Sequence, residues 1–340
     1  MRAMRIATDV RSLCEVSARI GRDPLLIQGP GGNTSLKIGG VLWVKASGLW
    51  LAEALERPIF ARLSLSAFRE ALADGQADPQ DGQDDLRPSI ETAMHALMPH
   101  AAVIHAHAVN SMAISVLADG ASRAARALGD LNWAWIAYHR PGAPLAAAVS
   151  LALARGAPDV LLLQNHGVVV GAPTPSAAEA LLQDVETRLR LKPRALPSAD
   201  LDGLAGRGGP DYEPAAEFCG LALDADLRRL VTAAALVPDQ VVFLGGALPA
   251  TAPGETVETA VRRVQAETSV APAFMLETGV GVFAARRRSR GARSLMGGLC
   301  EIVRRIPHGA EARGLSPGAV AELLRWEPEG YRRDLDANRV

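Results

Sequence analysis

The chain has 340 residues, 49% hydrophobic and 21% charged, with a formal net charge of −1. That size and apolar content allow one large domain or two ordinary ones, and the balanced charge argues against a nucleic-acid-binding surface. Three widely spaced cysteines (Cys14, Cys219, Cys300) exclude a disulfide framework and a CxxC zinc knuckle.

The first stretch is amphipathic and interrupted by charges, unlike a signal peptide, and no run approaches the roughly 20 apolar residues of a membrane span. The expectation is a cytoplasmic protein with no membrane partner. Val10, Leu13, Val16, Ser17 and Ile20 recur at helical spacing and predict a helix over 8–20, closed by Gly21. The Gly-rich run 29–35 predicts a turn, followed by short strands on either side of Gly39-Gly40. Residues 72–87 form a polar loop without an apolar face. A helix then opens near Pro88, with Ser89 as its expected N-cap, and runs to Met98. Strand-like 101–109, helical 111–119, strand-like 131–138 and an apolar helix over 144–156 follow. Residues 159–172 predict a strand, a tight Asn165-His166-Gly167 turn and a return strand; 176–191 are strongly helical. The aperiodic Gly/Pro/Asp stretch 193–214 predicts a linker. Beyond it the pattern predicts a helix over 223–236, a strand at 240–246 and a helix over 254–267. A strand pair at 274–285 and helices over 289–304 and 316–325 complete a smaller α/β domain.

His105 and His107 are two apart in a strand-like run, so their side chains share a face. Adjacent imidazoles on one face form a two-ligand arm for a divalent metal; a buried pair bonded to carbonyls is the other reading. His166 sits at the apex of an apolar hairpin, where Gly167 allows a tight turn. With the first pair it completes a three-histidine set of the kind that leaves a coordination position open, as in catalytic zinc. Glu91, in the first turn of the preceding helix, is either a dipole-complementing carboxylate or a base beside the metal. His95 lies four residues on and reads as packing or a partner of Glu91. Two loops, 31–35 and 45–48, offer backbone N–H groups, short hydroxyls and the Lys45 cation, a cradle for phosphate or carboxylate. Ser89 would complete that nest.

The motifs G-G-N-T-S, K-A-S-G, R-P-S-I-E, H-A-H and Q-N-H-G, in this order, resemble those of the class II aldolase/adducin family over residues 8–192. The resemblance implies a three-layer α/β/α fold with a central, mostly antiparallel sheet, plus a smaller C-terminal α/β domain. It divides the chain into a catalytic domain over 1–192, the linker 193–214 and a domain of unknown role over 215–340. It implies metal ligation by His105, His107 and His166, catalysis by Glu91, and phosphate binding by Gly32, Asn33, Ser47, Gly48 and Ser89. Lys45, Tyr138 and Arg140 are further candidate contacts for an anionic substrate. The implied metal is Zn2+, or another divalent ion such as Mn2+, Co2+ or Fe2+, and the implied assembly a homotetramer. Two departures stand out. The serine that some members place after Ser89 is Ile90 here, and no tyrosine follows the HxH pair closely. Residues 215–340 also resemble the region after the aldolase module in long rhamnulose-phosphate aldolase/dehydrogenase proteins, through G-V-G-V-F-A and W-E-P-E-G-Y-R.

The expected activity is a metal-dependent lyase that makes or breaks a C–C bond in a sugar phosphate or acidic hydroxycarbonyl compound through a metal-stabilised enediolate. A 3-oxo-acid decarboxylase or a 4-epimerase would use the same chemistry. An adducin-like binding protein is the reading from another class.

Overall fold

The computed structural model describes residues 2–76 and 85–337; most of the expected polar loop, 77–84, lies outside the described residues. The chain divides into two compact units. One comprises the residues up to Ser115 with Asp119–Arg190; the other comprises Val116–Ala118 and the chain from Leu191 onward.

The first unit runs α1 (Arg2–Arg22), β1 (Asn33–Ile38), β2 (Val41–Lys45), β3 (Phe60–Ser64), α2 (Leu65–Ala73), α3 (Thr92–Leu97) and β4 (Ala102–Ala106). It continues through α4 (Val109–Ser115), α5 (Gly120–Leu128), β5 (Trp133–Ile136), α6 (Ala143–Gly156), β6 (Val160–Leu163), β7 (Gly167–Ala172) and α7 (Pro175–Arg188). The strands form one seven-stranded sheet in the order β3-β2-β1-β4-β7-β6-β5. Every pairing is antiparallel except β5 with β6.

Side-chain alternation on β1 and β4 sorts the layers. Val103 packs with Met94 and Met98 of α3, Leu145 and Val149 of α6, and Leu161 and Val169 of the sheet. Phe68 of α2 and Ala93 of α3 cover Leu42, Val44 and Leu63. On the opposite face, Thr34 Oγ1 is 2.7 Å from Ser17 Oγ of α1, and α7 packs on β4 and β7. This is the expected three-layer α/β/α arrangement. Each fully buried Leu or Val contributes roughly 1.5–3 kcal/mol to it.

The register places Asn33 opposite His105 and Ser35 opposite Val103. Asn33, Ser35 and His105 therefore face α3. The helix opened by Pro88 starts later than expected, and Ser89 is not its N-cap. Residue 88 forms a β-bridge with Ala46, and Ser89 N–H donates to Lys45 O at 3.2 Å. That pairing holds 87–89 extended, so Glu91 occupies the cap position, where its side chain makes no capping bond.

The second unit contains α8 (Leu201–Leu204), β8 (Tyr212–Pro214), α9 (Gly220–Leu223), α10 (Ala225–Ala233), α11 (Pro238–Leu244) and α12 (Val257–Thr268). After these come β9 (Phe274–Glu277), β10 (Gly281–Ala285), α13 (Arg290–Arg305), α14 (Pro317–Arg325) and α15 (Glu327–Ala337). Its three-stranded antiparallel sheet, β8-β10-β9, packs Phe283 and Met275 against Leu204, Tyr212, Cys219 and Val257. Two expectations change here. The 193–214 stretch is not merely a linker: it supplies α8 and β8, and buries Leu204 and Tyr212 in that core. Of residues 240–246, read as a strand, 240–244 belong to α11, which has Pro238 in its first turn and is closed by Gly245 with φ 83°. No helix among the described residues is long and apolar enough to cross a membrane.

Candidate metal centre

His105 is the penultimate residue of β4, His107 follows the strand, and His166 caps the β6–β7 hairpin. The three rings converge. Their centroids are 4.8–5.3 Å apart, and one ligand atom from each lies within 4.8 Å of the others. Two backbone features bring them together. Gly32 has φ +61°, and a Cβ there would stand 2.8 Å from His105 O. A Cβ on Gly167 would stand 2.4 Å from Ala106 O, so only glycine lets the hairpin lie this close to the end of β4. Asn165 adopts φ 55°, a left-handed conformation that asparagine tolerates better than most residues.

Glu91 reaches the same point from the start of α3. Its Oε2 is 3.3 Å from His105 Nε2, and its Oε1 is 3.3 Å from His166 Nε2. All four side chains are buried. Burial pushes the Glu91 carboxyl up. The charges of His105, His166 and His107 and a hydrogen bond from Asn33 outweigh it, and hold the group at about 2.

The donor set suits a divalent cation. His105 Nδ1 lies 3.1 Å from Val168 O, an acceptor, so that nitrogen carries a proton, and a neutral ring would present its Nε2 lone pair to a metal. That lone pair faces His107 Nε2 at 3.2 Å as well as the Glu91 carboxylate. Three imidazoles beside a carboxylate in a buried site match the ligand preferences of a borderline-soft divalent ion.

Around this centre the predicted residues separate. The Asn33 amide is fully engaged: Nδ2 donates to Glu91 Oε2 at 2.8 Å and to Ser89 Oγ at 3.2 Å, while Oδ1 accepts from His95 Nε2. It serves Glu91 rather than facing outward for an anion. Lys45, the candidate substrate cation, ties the loops to one another. It is buried, and its Nζ donates to Pro30 O at 2.6 Å and Leu49 O at 2.7 Å, joining the two candidate anion loops. Thr34 and Ser35 are turned to Ser17 and His95. Ser47 and Ser89 are buried side by side with those loops, and Gly48 has φ 72°. Ser89 Oγ accepts from Asn33 Nδ2 and from Glu91 N–H at 3.3 Å, which leaves its own proton to donate. Tyr138 and Arg140 lie past β5 at the sheet edge, where Tyr138 N–H donates to Gln164 Oε1 at 3.3 Å.

The sequence did not foretell the place of His95. It bonds Ser35 and Asn33 rather than the Glu91 carboxylate. Glu186 of α7 was also missed. Its carboxylate accepts from the backbone N–H groups of Asn110 and Ser111 and from both their side chains, just after the HxH pair.

A mixed sheet whose central strands end in three converging imidazoles, beside a buried carboxylate, defines an α/β protein with a histidine cluster that could hold a metal. Residues 11–192 match the Class II Aldolase and Adducin N-terminal domain, and the chain belongs to that family. It is 30% identical over 193 residues to a Bacillus subtilis (strain 168) protein described as an uncharacterized oxidoreductase, YuxG. That match covers 51% of this chain and 28% of YuxG. Among solved structures, the N-terminal class II aldolase domain of a Thermoplasma acidophilum protein is 28% identical, with a TM-score of 0.46. The alignment covers 53% of this chain and 92% of that one. A sugar-phosphate aldolase from Thermotoga maritima is 15% identical, covering 54% and 93%, with a TM-score of 0.43.

Proposed function

We propose that this chain is a metal-dependent carbon–carbon lyase for a small phosphorylated or carboxylated hydroxycarbonyl compound, with its catalytic domain in residues 1–192. The observation that carries this reading is the convergence of three buried imidazoles, two of them 3.3 Å from the Glu91 carboxylate. His105, His107 and His166 would hold a divalent ion, zinc in our reading, whose Lewis acidity stabilises negative charge on the hydroxycarbonyl oxygens. Glu91, held 3.3 Å from both His105 and His166, would accept the substrate hydroxyl proton and return it later in the cycle. The Asn33 amide keeps the carboxylate aimed. Ser89, Ser47, Gly48 and the Gly32 turn bind the anionic end, which supplies positioning away from the bond that breaks.

Metal analysis and a substrate panel test this reading. Purified protein should carry about one divalent ion per chain. A panel of sugar phosphates and 3-oxo acids should yield an aldehyde; CO2 or an epimer would move the assignment to decarboxylase or epimerase. Glu91→Gln should keep its metal and lose about 10²–10⁴ in turnover. A near-normal rate in that variant removes Glu91 from the mechanism. Metal-free protein indifferent to chelators favours the binding-protein reading.

A further inference from the structure

We propose that His95 is a positioning residue that locks the Asn33 side-chain amide in the one orientation that presents its NH2 group to Glu91 and Ser89. The inference rests on the reading of Glu91 as the proton carrier. An amide is nearly symmetric in shape, and a half-turn exchanges its oxygen and nitrogen. After that turn Oδ1 would face the Glu91 carboxylate, lone pair against lone pair. What opposes the turn sits at the far end of the amide, where His95 Nε2 bonds Asn33 Oδ1. The lock requires His95 to carry its proton on Nε2. Ser35 Oγ, 2.8 Å from Nδ1, is a hydroxyl that can donate to the other nitrogen, so its position is compatible with that tautomer.

The four groups come from two elements. Asn33 and Ser35 share a face of β1; Glu91 and His95 stand one turn apart at the start of α3, where His95 N–H donates to Glu91 O at 3.3 Å. His95 is 0% exposed and Asn33 3%, so no solvent molecule substitutes for a lost partner. A hydrogen-bonded run thus leads from Ser35 through His95 and Asn33 to the Glu91 carboxylate.

The test combines NMR with kinetics on the full-length, zinc-loaded protein. Long-range proton–nitrogen spectra with labelled histidine should show one ring, absent in His95→Gln, as a neutral Nε2–H tautomer at neutral pH. A charged ring or an Nδ1–H tautomer overturns the proposal without any activity measurement. In His95→Leu, kcat should fall about 10–100-fold with little change in KM, since the lost effect is alignment of a reacting group. His95→Gln, whose amide N–H can still donate to Asn33, should recover most of that rate. Metal content should match wild type in both. Equal losses in the two variants, or full kcat in His95→Leu, overturn the proposal. Glu91→Gln, run in parallel, separates the two ideas: if it stays active while the His95 ring reads as expected, the role of Glu91 fails and the lock stands.

Discussion

At the scale of single residues, the site is built from groups that would be costly anywhere else. His95 is the clearest case. Burial first, then the charges of His105 and Lys37, pushes its imidazole down to about 3. In the unfolded chain it titrates near 6.5, so between those values the unfolded state holds a proton that the folded state lacks. The native state keeps this contribution in full above pH 6.5 and loses it as pH falls toward 3, at roughly 1.4 kcal/mol per pH unit. Urea unfolding at pH 6.5 and 5 should therefore show a shallower pH dependence in His95→Gln than in wild type, by about one proton. Identical slopes would mean that the ring is already protonated in the fold. Gly32 makes a second prediction. Its φ of +61° and the 2.8 Å gap between a would-be Cβ and His105 O mean that Gly32→Ala both strains the turn and presses on the metal arm. A loss of about 1–3 kcal/mol is expected, together with weaker metal binding, measured by denaturant melts and metal titration. A variant that keeps full metal affinity would show that β4 yields easily.

Whole elements hold these residues in place, and Glu186 shows how. It projects from α7 and its carboxylate takes up the backbone N–H groups of Asn110 and Ser111 at the start of α4, three and four residues past His107. Desolvation raises its pKa, and the bonds from Ser111 and Asn110 work against that shift. Glu186→Ala leaves those buried donors unmet. The expected cost is about 2–4 kcal/mol by chemical denaturation, with a looser His107 and reduced metal content. If stability falls but metal affinity does not, α4 is anchored without help from α7. The elements also show what the sequence can and cannot disclose. The histidine set was legible because strand alternation and a glycine turn act over a few residues. The start of α3 was not, since the extended segment at 87–89 is set by pairing with Ala46 and Lys45, far upstream in the sequence. The role of His95 required the Asn33–His105 register. Residues 240–246 misled because Val241, Val242, Phe243 and Leu244 are all buried, which erases helical periodicity. The Pro238 and Gly245 boundary signals were present and outweighed by that apolar run.

On the scale of the whole molecule, each of the two units has its own apolar cluster, and all three ligand rings lie in the first. A ligand that binds only folded protein stabilises the unit that contains its site. Zinc at 100 times its dissociation constant would add about 2.7 kcal/mol. For a unit of this size that raises its midpoint by roughly 5–10 °C. The tryptophans provide a built-in reporter: Trp43, Trp50, Trp133 and Trp135 belong to the first unit, and Trp326 to the second. Intrinsic fluorescence therefore follows chiefly the unit that holds the three imidazoles, whereas far-ultraviolet circular dichroism reads the helices of both. Adding zinc to chelator-treated protein should move the fluorescence transition upward and shift only part of the dichroism transition; in His107→Ala neither should move. A zinc shift equal in both signals would mean that the chain unfolds as one cooperative body. A shift that persists in His107→Ala would place the binding elsewhere than at the three imidazoles.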